Sequence, residues 1–246
     1  MGKDLSGKVA LVTGGSRGIG AQVARRLAAE GAQLVIACRS DLAAAGRMVA
    51  DLRAAGAAAC ALTADVAHPA DCDALVAGCM AQFGRLDILV NCAGVAKYLP
   101  LDQTDAGHFH AMFDTNVLGT LSLTRAAAAV MGPGGRIIHF SSRLAETPLA
   151  GASVYAASKA AVSALTLALA QELGPRGITI NAVAPGLIET DMTAGILTTR
   201  GDSLRAQTPL RRIGQPEDIS GLVAFLASAD AGWITGRTIR ADGGLL

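Results

Sequence analysis

Short runs of consecutive apolar residues alternate along this chain with longer stretches in which apolar residues recur every three or four positions. Val9-Ala10-Leu11-Val12 is apolar at every position, the pattern of a strand buried on both faces of a parallel sheet. After it, Val23, Ala24, Leu27 and Ala28 fall on one face of a helix. The pair repeats. Further strands are expected at Gln33 to Ala37, Ala58 to Thr63, Leu86 to Val90, Arg136 to Phe140, Thr179 to Val183 and Thr235 to Arg240. Helices are expected through about Ala55, from Pro69 to Phe83, from Ser153 to Leu173 and from Pro216 to Ala227. Ala106 to Met131 reads as one or two helices, interrupted at Asn116-Val117-Leu118-Gly119. The stretch from about 187 to 210, rich in Thr and Gly, reads as a loop with the length and composition of a substrate lid.

Strands separated by helix-length connections predict an α/β protein. Its core would be one doubly wound parallel sheet of about seven strands with helices on both faces, within a single domain spanning 1–246. Ligands of such sheets bind beyond the carboxyl ends of the strands. Thr13-Gly14-Gly15-Ser16-Arg17-Gly18-Ile19-Gly20 lies at the first of these ends, between strand and helix. Glycines there let backbone come close to a pyrophosphate at the positive end of the helix, so Gly14, Ser16, Arg17, Gly18, Ile19 and Gly20 are candidate dinucleotide contacts. The competing reading is a glycine-rich turn without a ligand.

The second strand runs into Cys38-Arg39-Ser40. An acidic residue here would bind the adenine ribose of NAD and repel a phosphate on it. Arg39, with Arg17, is instead suited to bracket a 2′-phosphate, which predicts NADP(H) over NAD(H). Asp41 reads as a starter of the next helix. Asp65 and Val66 end the third strand, where Asp65 either meets the adenine edge or caps the helix that begins near Pro69. Asn91-Cys92-Ala93-Gly94 closes the fourth, and its small residues Ala93 and Gly94 allow a cofactor close; a plain turn would also explain Gly94. Pro185-Gly186 follows the sixth.

Candidate chemistry sits after the fifth strand, where Ser142 precedes Tyr155-Ala156-Ala157-Ser158-Lys159. On a helix, Tyr155 and Lys159 lie one turn apart on one face. A phenol, with an ordinary pKa of about 10, is brought toward working range by a neighbouring ammonium, and Ser142 can donate to the same substrate oxygen. The competing reading makes Tyr155 and Lys159 ordinary surface residues. Asn116 either holds a water on backbone groups at the helix interruption or satisfies a kink.

Composition narrows the partners. A net charge of +1 gives no footprint for nucleic acid or an anionic membrane, so a small molecule is expected. Hydrophobic content is 51%, yet no uncharged run approaches the roughly 18 residues that span a bilayer. Met1-Gly2-Lys3-Asp4-Leu5 opens without a signal-peptide apolar stretch. The five cysteines, Cys38, Cys60, Cys72, Cys79 and Cys92, contain no Cys-x-x-Cys pair and are expected to be reduced, in a cytoplasmic protein. His68, His108, His110 and His139 lack a carboxylate cluster at ligand spacing, so no metal is expected.

Thr13 to Gly20, Asn91 to Gly94, Asn116, Ser142, Tyr155 to Lys159 and Pro185-Gly186, in order and in register, resemble the short-chain dehydrogenase/reductase family over essentially the whole chain. Arg176 to Asn181, Ala184 to Met192 and the ending Ala241-Asp242-Gly243-Gly244 are most similar to its 3-oxoacyl-(acyl-carrier-protein) reductase group. The resemblance implies a Rossmann-like fold and hydride transfer between NADP(H) and a ketone or secondary alcohol, with a 3-oxoacyl thioester as one substrate class. It implies that Tyr155 is the acid/base and that Lys159 binds the nicotinamide ribose and lowers the Tyr155 pKa. Ser142 would orient the carbonyl, and Asn116 would hold a relay water. Ile188 and Thr190 would grip the carboxamide, and Asn91 to Gly94 would line the adenosine and nicotinamide walls. It further implies a homotetramer built on the two long helices, where Ala126 to Ala129 and Ala160 to Ala170 offer alanine-rich faces.

Two departures stand out. Cys92 replaces the family's usual second Asn and is expected to alter strand packing more than catalysis. Between Arg125 and Arg136 the chain lacks the basic residues that dock an acidic carrier protein, leaving Arg176, so a free small ketone, keto-sugar or diketone competes as substrate. Arg143 reads as a surface charge or as a hint of an anionic substrate. A non-catalytic dinucleotide sensor or scaffold on the same fold is the rival of another class; the intact Asn116, Ser142, Tyr155 and Lys159 weigh against it.

Overall fold

The computed structural model describes residues 4–245; the leading Met1-Gly2-Lys3 of the N-terminal reading lies outside them. Seven parallel strands form one sheet in the order β3-β2-β1-β4-β5-β6-β7. They are β1 (Val9–Thr13), β2 (Gln33–Cys38), β3 (Ala59–Thr63), β4 (Ile88–Asn91), β5 (Arg136–Phe140), β6 (Thr179–Pro185) and β7 (Thr238–Ala241). The consecutive apolar residues of β1 are explained by its central place. Ala10 and Val12 face the core layer that contains Val23, Leu27 and Val223. Val9 and Leu11 face the opposite layer, with Leu75, Leu123 and Ile180. The chain winds outward through β2 and β3, then returns to place β4 against the free side of β1. The order reverses between β1 and β4, and a crevice opens at their carboxyl ends.

One face is covered by α1 (Gly18–Ala29), α2 (Leu42–Ala54) and α8 (Pro216–Ala227), the other by α3 (Pro69–Phe83), the α4 (Ala106–Phe113) and α5 (Gly119–Val130) pair, and α6 (Ser153–Leu173). With its short extension, Ser153–Arg176 is long and apolar enough to cross a membrane by length and composition alone. It carries Lys159, however, and buries Val162, Thr166, Ala170 and Leu173, the last two among the apolar residues packed under the sheet; it is a core helix.

The expected interruption of the long helix is real but does not break it. Asp114–Leu118 forms one π turn joining α4 to α5, a widened turn that re-aims a side chain without ending the helix. The stretch expected as a lid loop instead contains α7 (Ala194–Gln207). Only Gly201 and Leu204 of α7 are buried, so it has no apolar stripe, and its Thr and Gly content hid it. β7 starts later than expected because Thr235 turns its hydroxyl to accept from the Ile180 amide at 3.1 Å.

Gly119 marks where the α3–α5 layer meets the end of β3: a Cβ there would lie 2.6 Å from the Val66 carbonyl oxygen. Gly119→Ala is therefore expected to lower stability by about 1–3 kcal/mol through overpacking, read as a fall in the urea midpoint at unchanged slope. A midpoint equal to the parent's would refute the close contact.

Candidate functional site

The glycine loop after β1 is shaped by contacts only glycine permits. A Cβ on Gly20 would sit 2.3 Å from the Gly14 carbonyl oxygen, and one on Gly14 would sit 3.2 Å from Ala93. Gly14 and Gly18 also adopt φ of 64° and 54°, open to glycine without strain. Arg17 stands at the N-cap of α1 with no side-chain capping bond, and the first turn holds no acidic residue. The positive end of α1 is thus left for an anion. Ser16 and Ile19 are partly exposed beside it. The Cβ position of Gly18 lies 3.4 Å from Thr190 Cγ2, so this loop faces the one that follows β6.

At the end of β2, Arg39 and Ser40 are exposed and Cys38 is buried, with burial pushing its thiol pKa up. Asp41 caps α2 by accepting from the Ala44 amide at 2.9 Å, as expected. Asp65 does not cap α3: His68 occupies that position, while Asp65 folds onto its own turn, accepting from the Ala67 amide at 3.1 Å. Its other oxygen lies 3.9 Å from the Arg39 guanidinium. Val66 keeps its side chain in the core, so only its backbone is available to a ligand.

Thr13 ties the two sides of the crevice together. Its hydroxyl accepts from the Ala93 amide at 3.0 Å and donates to the Val90 carbonyl at 3.4 Å. Asn91 donates to Thr124 at 3.2 Å. Next to it, His139 is fully buried, joined to Thr124 and Thr166 at 2.9 Å each; burial, then the Lys159 charge, lowers its pKa to about 3, which keeps it neutral.

Behind Gly94 the groups of interest converge. A Cβ on Gly94 would lie 3.2 Å from Asn116 Oδ1 and 3.4 Å from Lys159 Nζ. The Asn116 side chain is committed to protein: Oδ1 accepts from the Val95 amide at 2.9 Å, and Nδ2 donates to the Val95 carbonyl and to Ser158 Oγ, each at 3.0 Å. It thereby links the π turn to the Val95 segment and to α6, while its backbone carbonyl accepts from the Thr120 hydroxyl at 2.8 Å. Lys159 is buried and donates to the Phe140 carbonyl at 2.8 Å. Its Nζ stands 5.9 Å from the centre of the Tyr155 ring. Ser142, at the end of β5, is buried and accepts from the Leu144 amide at 3.2 Å.

The expected acidification of Tyr155 by Lys159 is not what this geometry produces. Burial, then the neighbouring Tyr98, raises the Tyr155 pKa to about 12, against a lowering by its hydrogen bond with Ser142. Burial lowers Lys159 to about 8. Loss of water acts on each group more strongly than either acts on the other.

Tyr98 was not singled out from the sequence, although it is one of only two tyrosines. Its ring meets Tyr155 edge to face at 5.7 Å. Thr193 was also missed; it holds the loop after β6, donating to the Ile188 carbonyl at 2.6 Å and accepting from the Thr190 amide at 3.0 Å. Pro185 ends β6, and a Cβ on Gly186 would strike Asp242 Cα at 2.6 Å. Ile188 is buried and bridges to Gly214. Beyond it, Glu189, Thr190, Asp191, Ala194, Leu197 and Thr198 line an open hollow. Among the described residues no group of three His, Cys, Asp or Glu is placed to hold a metal ion.

Known proteins resemble the chain over nearly its whole length. The family model described as enoyl-(acyl carrier protein) reductase matches residues 14–246. An uncharacterized oxidoreductase of Methylorubrum extorquens is 46% identical, covering 98% of both chains. The 3-oxoacyl-[acyl-carrier-protein] reductase of a Synechocystis species is 39% identical, again over 98% of each. Among solved structures, a short-chain dehydrogenase from Burkholderia cenocepacia in complex with NADP superposes with a TM-score of 0.94 at 42% identity, covering 98% of each chain.

The depressed Lys159 pKa has a consequence for stability. Between about 8 in the folded state and the ordinary 10.5, the unfolded chain binds the extra proton, so stability rises with pH across that window. Below it the cost of burying the charge is present in full. Lys159→Met is expected to stabilise the protein by roughly 1–3 kcal/mol at pH 7, with the advantage shrinking as pH rises toward 10.5. Denaturant titrations of both proteins across this range check it; a variant less stable at pH 7 would contradict it.

Proposed function

The chain belongs to the short-chain dehydrogenase/reductase family of oxidoreductases, and from that premise we propose that it is an NADP(H)-dependent reductase of free ketones, with Tyr155 as the proton donor. The observation that carries this reading is the convergence of Tyr155, Ser142, Lys159 and Gly94 at the carboxyl ends of β4 and β5. The open N-terminus of α1 and the glycine contacts around it suit the pyrophosphate of a dinucleotide. Arg39 and Arg17, both exposed, would hold a 2′-phosphate, with Asp65 yielding its distant pairing to Arg39. Ser40, Cys38, Asp65 and the Val66 backbone would flank the adenosine, and Asn91, Ala93, Gly94, Pro185, Gly186, Ile188 and Thr190 would line the nicotinamide end. The bound cofactor supplies the hydride.

The chain's own residues do the rest. Ser142 orients the carbonyl oxygen toward the Tyr155 hydroxyl, which gives it a proton. A phenol held near 12 is protonated at neutral pH but a weak acid, so its proton transfer depends on stabilisation of the phenolate it leaves behind. Lys159 keeps an ammonium within reach of the phenolate that remains, and Asn116 braces the floor through Val95 and Ser158.

A free ketone is favoured over a carrier-bound thioester by the state of the basic residues near the end of α5. Arg125 pairs with Asp73 at 2.7 Å. Arg176 donates to the carbonyls of Ala128 and Met131 at 2.5 and 3.2 Å, capping the helix rather than facing an acidic partner. Leu118, Leu121 and Leu167, left exposed on the long helices, support assembly as a homotetramer.

Tyr155→Phe is expected to cut kcat by about 10²–10⁴ while NADPH binding changes little; retained turnover, measured as NADPH oxidation with small aryl ketones, keto-sugars, diketones and an acetoacetyl thioester, would remove Tyr155 from its role. Arg39→Asp is expected to move the NADPH to NADH ratio of kcat/KM by about tenfold or more toward NADH, and an unmoved ratio would dissociate Arg39 from the phosphate.

A further inference from the structure

Arg143 follows Ser142 directly and begins a single 3-10 turn, Arg143–Ala145. It is not a surface charge: only 8% of it is exposed. Arginine is rarely buried to this extent unless paired, because an uncompensated internal charge is costly. Yet among the described residues no carboxylate comes within ion-pairing reach of its guanidinium. Its one side-chain partner is neutral, the Thr147 hydroxyl, to which it donates at 3.0 Å. Its Nε and second Nη make no hydrogen bond to the described residues and are not sealed from solvent, so these donors stay open to a ligand.

The nearby carboxylates are turned elsewhere. Asp242 receives Arg240 at 2.5 Å and the Gly244 amide at 3.0 Å, and Glu146 lies 3.6 Å from the same Arg240. Burial lowers the Arg143 pKa, with Asp242 working against that shift and Arg240 adding to it. Toward the site, Arg143 influences Tyr98, whose ring abuts Tyr155. Tyr98 is half-exposed and its hydroxyl makes no hydrogen bond among the described residues, so it too is open to a ligand.

We infer that Arg143, assisted by Tyr98, is an anion subsite next to the reacting carbonyl, and that the preferred substrate is a short ketone carrying a carboxylate. The inference rests on the reductase reading for the identity of the reacting group. Arg143 directly follows Ser142, and Tyr98 lies against Tyr155 with ring centres 5.7 Å apart, which together point to a ligand whose carbonyl and carboxylate are only a few bonds apart. A carboxylate suits the planar guanidinium, which can donate to both its oxygens at once. A phosphate far along a thioester arm would not reach.

The test compares short oxo acids of graded chain length with their own methyl esters, under NADPH, in wild type, Arg143→Gln and Arg143→Lys. Wild type is expected to favour the best acid over its ester by about tenfold or more in kcat/KM, carried mainly by KM. Gln should bring that ratio near one, and Lys, which keeps the charge, should retain part of it. A wild-type ratio at or below one, or an unaltered ratio in Gln, overturns the inference. Calorimetric titration of the NADP-loaded protein with benzoate and benzamide, neither of which is reduced, separates the two readings. Arg143-dependent benzoate binding without turnover of any ketone sinks the reductase reading and leaves the subsite; ketone turnover with no acid preference and no benzoate binding does the opposite.

Discussion

A lysine ammonium shut away from water, with a single backbone carbonyl to hold it, is the constraint to which this site is built. Lys159 donates to the Phe140 carbonyl, and that bond anchors the second turn of α6 to the end of β5. Gly94 gives up its side chain so that Nζ and Asn116 can approach from the other side. Ser141 completes the fixation by donating to the Lys159 carbonyl at 2.9 Å. A charge kept in such a place lowers stability, and the surrounding bonds restrain it without neutralising it, leaving its effect available to whatever enters the crevice.

The same desolvation governs Tyr155. Its proton is held more firmly than in water, and the serine that would orient a carbonyl is the group that eases it. The π turn contributes by turning Asn116 inward at a point where a regular helix would present a different residue. Three hydrogen bonds then fasten the π turn, the Val95 segment and α6 to one another. The site's precision thus derives from helix geometry and strand ends, not from the loops that surround it.

Much of this was legible in the chain. Consecutive apolar residues identified the buried strands because a two-sided core leaves no polar face, and the β1–Gly14–Gly20–α1 passage was readable because glycines between strand and helix have few other uses. The interruption at Asn116-Val117-Leu118-Gly119 was visible in the chain, but not that a π turn would carry the helix through it. What escaped depended on side chains distant in sequence. Tyr98 acquires meaning only when folding brings it beside Tyr155, the burial of Arg143 left its two sequence readings undecided until the fold was known, and α7 lacks the apolar stripe from which helices are read. The pKa of Tyr155 was misjudged for a related reason: the spacing of Tyr155 and Lys159 reveals their proximity, whereas the depth at which both lie comes from the whole sheet.

The two walls of the crevice differ in how much change they tolerate. On the Gly20 side no atom can be added without striking the Gly14 carbonyl, so variation there is closed off. On the opposite side α7 buries only two of its residues, and most positions facing the hollow can be exchanged at little cost to folding. Divergence of this scaffold can therefore explore new substrates by drift along one helix while the dinucleotide wall stays as it is.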